Sequence, residues 1–340
     1  MTESKDIWVF IEQEEGRIGD VSLELLAKAQ EWAATLQSQV WGLLCGHQVE
    51  ELADSVVQYG ADRVLVADHP ELALFRTLPY ARVAIDLIRQ HQPYIFLIGA
   101  TPLGRDLAPR IASAVQVGLT ADCTDLQIGD YTSKKEKREY TDLLYQIRPA
   151  FGGNIIATIV NPKTRPQMAT VRPGVMQANT PDANRKGEID NFEPSFESGD
   201  FALEVLSREI REPSVNLKDA PIIVAAGGGV QGADEFHLVE ELAHILGGEV
   251  GASRAAVDAG LVSREHQIGQ TGTTVRPRLY IAAGISGAIQ HSTGMDKSNK
   301  IIAINTDPDA PIFKFAHYKI VGDIAEVLPL LIRTLREKAK

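Results

Sequence analysis

Short, almost unbroken apolar runs recur along this chain, each followed by a stretch with helical spacing. That alternation restricts the folds open to it more than any other feature. The runs in the first half are Ile7–Ile11 (IWVFI), Val40–Leu44, Arg63–Ala67 and Tyr94–Gly99 (YIFLIG). Between them, Leu25, Ala29, Trp32, Ala33 and Leu36 share a helical face within Leu23–Leu36, and Val49–Tyr59, Tyr80–His91 and Leu107–Val115 repeat the pattern. A strand that is apolar on both sides must be covered on both sides, so strands with helical crossovers predict a parallel sheet between helix layers. The rhythm changes over 118–175, where Leu143–Arg148, Ile155–Val160 and Gln167–Val171 read as strands without helices between them and predict an antiparallel extension. Ser133–Glu139 (SKKEKRE) reads as a solvated hairpin tip, with a docking patch as the alternative. Residues 177–200, rich in Asn, Asp, Pro, Glu and Gly, read as a linker or wrapping segment, and Phe201–Arg211 as one more strand. The α/β rhythm restarts at Pro221–Ala226 (PIIVAA), with a helix over 233–246, a segment Ala252–Ala259, strands at Arg278–Ala283, Lys300–Asn305 and Tyr318–Gly322, and a closing helix from Asp323.

A length of 340 residues suits two domains, placed at 1–215 and 216–340 with the boundary in the Pro- and Asp-containing stretch near 211–219. The fold class expected is α/β: two Rossmann-like parallel-sheet domains, the first with an antiparallel extension. The formal net charge of −11 provides no basic face for a nucleic-acid backbone or an anionic membrane. The two cysteines, Cys45 and Cys123, form no C-x-x-C pair, which excludes a disulfide scaffold and a zinc ribbon and points to a reducing compartment. No apolar run reaches the ~18 residues of a spanning helix, and the start Met1-Thr-Glu-Ser-Lys-Asp6 lacks the shape of a signal peptide, so the expected location is cytoplasmic.

Chemistry concentrates where strands run into turns. Gly227-Gly228-Gly229-Val230-Gln231-Gly232 fits G-x-G-x-x-G after a strand and before a helix. Such glycines let backbone N–H groups approach a pyrophosphate; the alternative is a tight strand–helix turn with no ligand. Glu249 is either a ribose partner or a loop residue. A second cluster runs from Gly284 through Ser286 and Gly287 to Gln290 and His291. Its amides from Gly287 to Ile289 form an anion cradle on one reading and a capped strand–helix turn on the other. Two further polar, glycine-rich stretches are Gly251–Gly260, with Ser253 and Arg254, and Gln267–Gly272. In open α/β sheets ligands bind at the carboxyl edge of the strands, where these four stretches should meet.

Taken together, these stretches resemble the electron transfer flavoprotein alpha subunit. The resemblance rests on LYIAAGISGAIQHSTGM (279–295) with IAINTD (302–307), on VGASRAAVDAG (250–260), on GQTG (269–272), and on GATPLGRDLAPRIA (99–112) in the first half. It covers nearly the whole chain, and it implies one FAD bound by the second domain. By that resemblance, Ser286, Gly287, Ala288 and Ile289 hold the pyrophosphate. His291 lies near the pyrimidine end of the flavin ring, where a donor stabilises the negative charge that builds up on reduction. Arg254 sits beside the ring and Thr271 near N5. Ser253, Gln267, Gly269, Gln270, Gly272, Gly284 and Gln290 complete the pocket. Asn305 and Asp323 address the adenosine half, with an N-cap of the last helix as the alternative role for Asp323. One departure is Gly228, where the family commonly carries an arginine that contacts the phosphates.

The resemblance further implies a heterodimer with an electron transfer flavoprotein beta subunit, and it makes the linker near 211–220 a candidate hinge. The stretches Gly118–Thr124, Arg148–Asn154 and Thr170–Met176 look like the version found in anaerobic bacteria. Those proteins often bifurcate electrons from NADH, one to ferredoxin or flavodoxin and one to an acyl-CoA or hydroxyacid dehydrogenase such as lactate dehydrogenase. Arg148 and Arg172 are candidates to touch a second flavin held by the beta subunit, with interface salt bridging as the alternative. A simple electron shuttle is the competing reading. An NAD-dependent oxidoreductase using Gly227–Gly232 and a non-catalytic nucleotide-binding module are the readings from other classes.

Overall fold

All five residues of Ile7–Ile11 (β1) are buried, as a strand covered on both faces requires. Ile7, Val9 and Ile11 face one core with Leu25 and Ala29 of Asp20–Leu36 (α1) and Val56 of Leu52–Gln58 (α2). Trp8 and Phe10 face the other, with Leu87 of Thr77–His91 (α3) and Ile111 of Pro102–Val115 (α4). The computed structural model describes residues 5–150, 155–209 and 214–338. Its contacts divide the chain into two units, Met1–Arg208 and Glu209–Lys340.

In the first unit, β1 lies between Val40–Gly46 (β2), flanked by Arg63–Asp68 (β3), and Ile95–Gly99 (β4). The seven-stranded sheet is completed by Leu119–Cys123 (β5) at one edge and Glu188–Asn191 (β10) at the other, and every pairing in it is parallel. Asp125–Ser133 (β6), Arg138–Ala150 (β7) and Ile155–Ile159 (β8) form a separate three-stranded antiparallel sheet, with turn residues between Ser133 and Arg138 as the charged SKKEKRE run requires.

Three expectations need correction here. Gln167–Val171 (β9) is not part of the antiparallel extension: it runs parallel between β4 and β5, buried at all five positions. Its two-sided burial, which takes in the polar Gln167 and Thr170, is the mark of a central strand, and the polar residues and the lack of a neighbouring helix conceal it. The wrapping segment 177–200 contains β10, which pairs in parallel with β3 at the far edge, where Arg63 also forms an ion pair with Asp190. Phe201 ends a short 3-10 turn and residues 202–209 form no strand, while 210 and 211 lie outside the described residues.

Both cysteines are buried. Burial alone drives the Cys45 thiol far above the ordinary range, and burial against a weaker pull from Arg148 pushes Cys123 up to about 12. Neither is a thiolate near neutrality, so a disulfide reagent at pH 8 should modify no thiol in the native chain and two after unfolding. Reaction of either one in the native chain contradicts the packing.

The second unit is a five-stranded parallel sheet built from Ile222–Ala226 (β11), Glu249–Ala252 (β12), Leu279–Ala283 (β13), Lys300–Asn305 (β14) and Tyr318–Val321 (β15). Their order is β12-β11-β13-β14-β15. Gly232–Leu246 (α5) and Ile324–Lys338 (α8) cover one face through Phe236, Val239, Leu328 and Ile332. Largely irregular segments cover the other, with Val215, Ile268, Val275, Met295 and Phe313 packed on Tyr280 and Ile223. Among the described residues no helix is long and apolar enough to cross a membrane.

Candidate functional site

The strand order of the second unit reverses between β11 and β13, since the chain goes from β11 outward to β12 and then returns to the other side. At such a point the loops after the two central strands part in opposite directions and leave a crevice at the carboxyl edge. Here the Gly227 amide donates to the Ala283 carbonyl at 2.8 Å and the Gly229 amide to the Gly284 carbonyl at 2.9 Å, so the two glycine turns are tied together at the base of the crevice. The cavity above them holds about 710 Å³, within the ~300–1,000 Å³ usual for cofactor and ligand sites.

The structure brings eleven of the sequence-derived residues to this cavity. Ser253, Arg254, Gln267, Gly269 and Thr271 line it from the β12 side, and Gly284, Ser286, Ala288, Gln290, His291 and Asn305 from the β13 and β14 side. Ser253 caps Arg254–Asp258 (α6), its Oγ accepting the Ala256 amide. Arg254 is exposed and pairs with Asp258 across 3.3 Å. Thr271 Oγ1 accepts Gln267 Nε2 at 2.8 Å, and Asn305 Nδ2 donates to the Ile285 carbonyl at 3.0 Å.

Five others are not among the residues that line it. The Gln270 amide donates to the Gln290 carbonyl at 2.6 Å and so joins the two loops. Gly272 closes a turn onto the Gly269 carbonyl. Gly287 has φ +87, and a Cβ there would fall 2.1 Å from the Ile312 amide nitrogen. Ile289 begins Ile289–Ser292 (α7), which is only four residues long. The amides of Gly287, Ala288 and Ile289 donate to no other described residue, which leaves three donors at the loop beside the cavity. Asp323 caps α8, its Oδ1 accepting the Ala325 amide at 2.8 Å. Glu249 begins β12 at the amino edge of the sheet and does not line the cavity.

His291 is the electrostatic centre. It is 7% exposed, and its Nε2 lies 2.9 Å from Tyr280 Oη. Burial, opposed by a hydrogen bond with the Ile268 backbone, lowers the imidazole to about 4, so the ring is neutral at pH 7. Burial drives the Tyr280 phenol well above its ordinary range, so it keeps its proton. A buried O–H must donate, and its partner here is Nε2, which assigns the imidazole proton to Nδ1. That Nδ1 is buried and makes no hydrogen bond of good geometry among the described residues, the Ile268 backbone giving it a marginal contact. With three unpaired amides at the adjoining loop, the donor set fits a group with a diphosphate and a polar heteroaromatic ring. Sequence reasoning missed Tyr280, which sits inside an apolar strand where nothing in the pattern distinguishes it from core. Among the described residues no cluster of metal ligands exists.

In the first unit Arg172 binds Asp122 through Nε at 3.2 Å and Nη2 at 2.6 Å, and Arg105 reaches the same carboxylate at 3.2 Å. Burial raises the Asp122 carboxyl, but the guanidinium bonds and nearby Arg148 win and hold it below the usual range. Arg148 lies on β7 opposite Ala157, and residues 151–154 of the Arg148–Asn154 stretch lie outside the described residues, as do 211–213 of the hinge stretch.

Comparison with known proteins agrees with this geometry in both halves. The family profile for the electron transfer flavoprotein domain matches residues 7–197, and the one for the electron transfer flavoprotein FAD-binding domain matches residues 216–296. A protein of Thermoanaerobacterium thermosaccharolyticum named electron transfer flavoprotein subunit alpha is 49% identical, over 99% of both chains. The acryloyl-CoA reductase electron transfer subunit beta of Anaerotignum propionicum is 41% identical over 98% of this chain and 96% of its own. Subunit LctC of the lactate dehydrogenase (NAD(+),ferredoxin) of Acetobacterium woodii is 43% identical over 96% of this chain and 76% of its own.

Proposed function

Since this chain belongs to the electron transfer flavoprotein alpha-subunit family, with FAD as its cofactor, we propose that it works in a heterodimer with a beta subunit in flavin-based electron bifurcation. Electrons enter from NADH and leave by two routes, one to ferredoxin or flavodoxin and one to an acyl-CoA or lactate dehydrogenase. The support for the bifurcating form is the similarity, over 96% or more of this chain, to an acryloyl-CoA reductase electron transfer subunit and to a subunit of a lactate dehydrogenase (NAD(+),ferredoxin). The observation that carries the site is the cavity at the strand-order reversal, beside a glycine turn whose Gly287, Ala288 and Ile289 amides donate to no described residue.

Bound FAD supplies the redox couple, and the protein orients it and sets its surroundings. In this reading the amides of Gly287, Ala288 and Ile289 donate to the diphosphate oxygens. They do so without a nearby cation at Gly228, so binding leans on backbone donors. The neutral His291 donates Nδ1–H to the ring's pyrimidine edge and holds that proton, because Tyr280 occupies Nε2. Arg254 and Thr271 address the ring from the β12 side, and Asn305 addresses the adenosine side. Arg254 is exposed, so its charge acts through solvent and is screened by salt.

Flavin content separates the bifurcating reading from the simple shuttle. The chain co-produced with its beta subunit should carry two FAD per heterodimer and oxidise NADH. One FAD with one AMP, and no NADH oxidation, rejects bifurcation while leaving the family assignment intact.

A further inference from the structure

Strand β8, Ile155–Ile159 (IIATI), forms one edge of the three-stranded antiparallel sheet. Ile155 is 54% exposed and Ile156 is 72% exposed. Consecutive residues of a strand point to opposite faces, so at this end neither face is packed. A flat surface docking on the sheet would cover only one of them. Natural edges are guarded by charge, proline or a bulge. The opposite edge strand, β6, has such guards, a register break between Gly129 and Tyr131 with Asp130 at the break. The edge strand β10 has charged Glu188 and Asp190. Residues 155–159 contain none of these.

The pairing shows which backbone groups are open. Ile156 is opposite Pro149, and Ala157 opposite Arg148. Proline has no N–H, so Ile156 and Pro149 cannot be a hydrogen-bonded pair. The alternation of an antiparallel ladder then turns the N–H and C=O of Ile156 and Thr158 away from β7, toward the free edge.

We infer that β8 is a strand-addition site, and that its occupant is an extended, uncharged strand of the beta subunit, hydrogen-bonded to Ile156 and Thr158 and covering Ile155 and Ile156 from both faces. A partner strand supplies main-chain donors and acceptors at the spacing this edge presents. A second copy of this chain is the less suitable occupant, because two chains at −11 each repel. The inference rests on the heterodimer reading above.

Hydrogen exchange tests it on the intact proteins. In the heterodimer the Ile156 and Thr158 amides should exchange at least ~10-fold more slowly than in the isolated alpha chain. Ile156→Pro and Thr158→Pro remove an outward N–H without touching the internal ladder. Each should raise the heterodimer dissociation constant ~10-fold or more, while FAD content, which reports the second unit, stays at the parent level. Unchanged exchange and unchanged affinity in a parent pair that does assemble overturn the inference alone. Protection of these amides in the isolated chain, rising with its concentration, overturns it in favour of self-pairing. Failure of the parent chain to assemble with a beta subunit overturns the heterodimer reading, and this inference with it.

Discussion

Gly227→Ala unfolds the second unit well below the parent's melting temperature and costs the chain its flavin. A Cβ at this position would lie 2.1 Å from the Gly284 carbonyl oxygen, 2.4 Å from the Gly284 carbon and 2.5 Å from Ile285 Cα. All three are backbone atoms, so no side-chain rotation relieves the contact. The turns after β11 and β13 must separate, and with them the hydrogen bonds from Gly227 to Ala283 and from Gly229 to Gly284. A forced backbone shift in a packed core, with the loss of such bonds, costs about 3–4 kcal/mol, or roughly 10 °C or more in a unit of this size. Gly228→Ala is the internal control: its Cβ meets only Ala255 Cβ at 3.2 Å, and it should shift the melt by no more than about 2 °C. The three tryptophans, Trp8, Trp32 and Trp41, all belong to the first unit. Tryptophan fluorescence therefore reports the first unit and flavin release the second. Gly227→Ala should lower the flavin-release temperature and leave the tryptophan transition in place. Equal release temperatures for the two alanine variants would refute the close approach of the two turns.

That the crevice could be located from residues alone has a physical reason. Glycine and polar side chains gather where strands of an open sheet end, because only there can backbone reach a ligand, and the Gly227, Ser253, Gln267 and Ser286 stretches all interrupt otherwise apolar runs. Strands such as Ile7–Ile11 and Lys300–Asn305 were legible to the residue for the complementary reason, that two-sided burial leaves an unbroken apolar run. What escaped was set by partners distant in sequence. β12 is only four residues (EVGA) beside Gly247 and Gly248, too short and too mixed to carry a period. β9 looks like its antiparallel neighbours, and only its insertion between β4 and β5 makes it parallel. The apolar face of α4 begins only at Leu107, whereas the helix itself starts at Pro102, where Thr101-Pro102 carries the start signal. The Thr101 hydroxyl accepts the Gly104 amide at 3.0 Å, and proline stands at the first helical position. In the site, Gln270 and Gly287 shape the loops beside the cavity through backbone geometry, which composition does not reveal. The tautomer of His291 depends on Tyr280, eleven residues upstream and on a strand.

Acidification should destabilise the second unit through that histidine. An imidazole ordinarily near 6.5 is held at about 4 by burial, so between these values the unfolded chain binds a proton that the folded one refuses. Stability from keeping His291 neutral is fully present above about pH 6.5 and is lost as pH falls toward 4, because the state that binds more protons gains. Between pH 7 and pH 5 the loss is about 2 kcal/mol. His291→Gln keeps a carbonyl acceptor for Tyr280 and has no group titrating in this range. The measurement is urea unfolding of the full chain at pH 7 and pH 5, with the second unit followed by flavin release. The parent should lose about 2 kcal/mol more than His291→Gln over that interval, whereas Tyr280→Phe should retain the pH slope and be less stable at both pH values by about 1–3 kcal/mol, because Nε2 is then buried without a donor. Parallel pH slopes for the parent and His291→Gln would mean that the imidazole is solvated, and the assignment of its proton to Nδ1 would fall with that result.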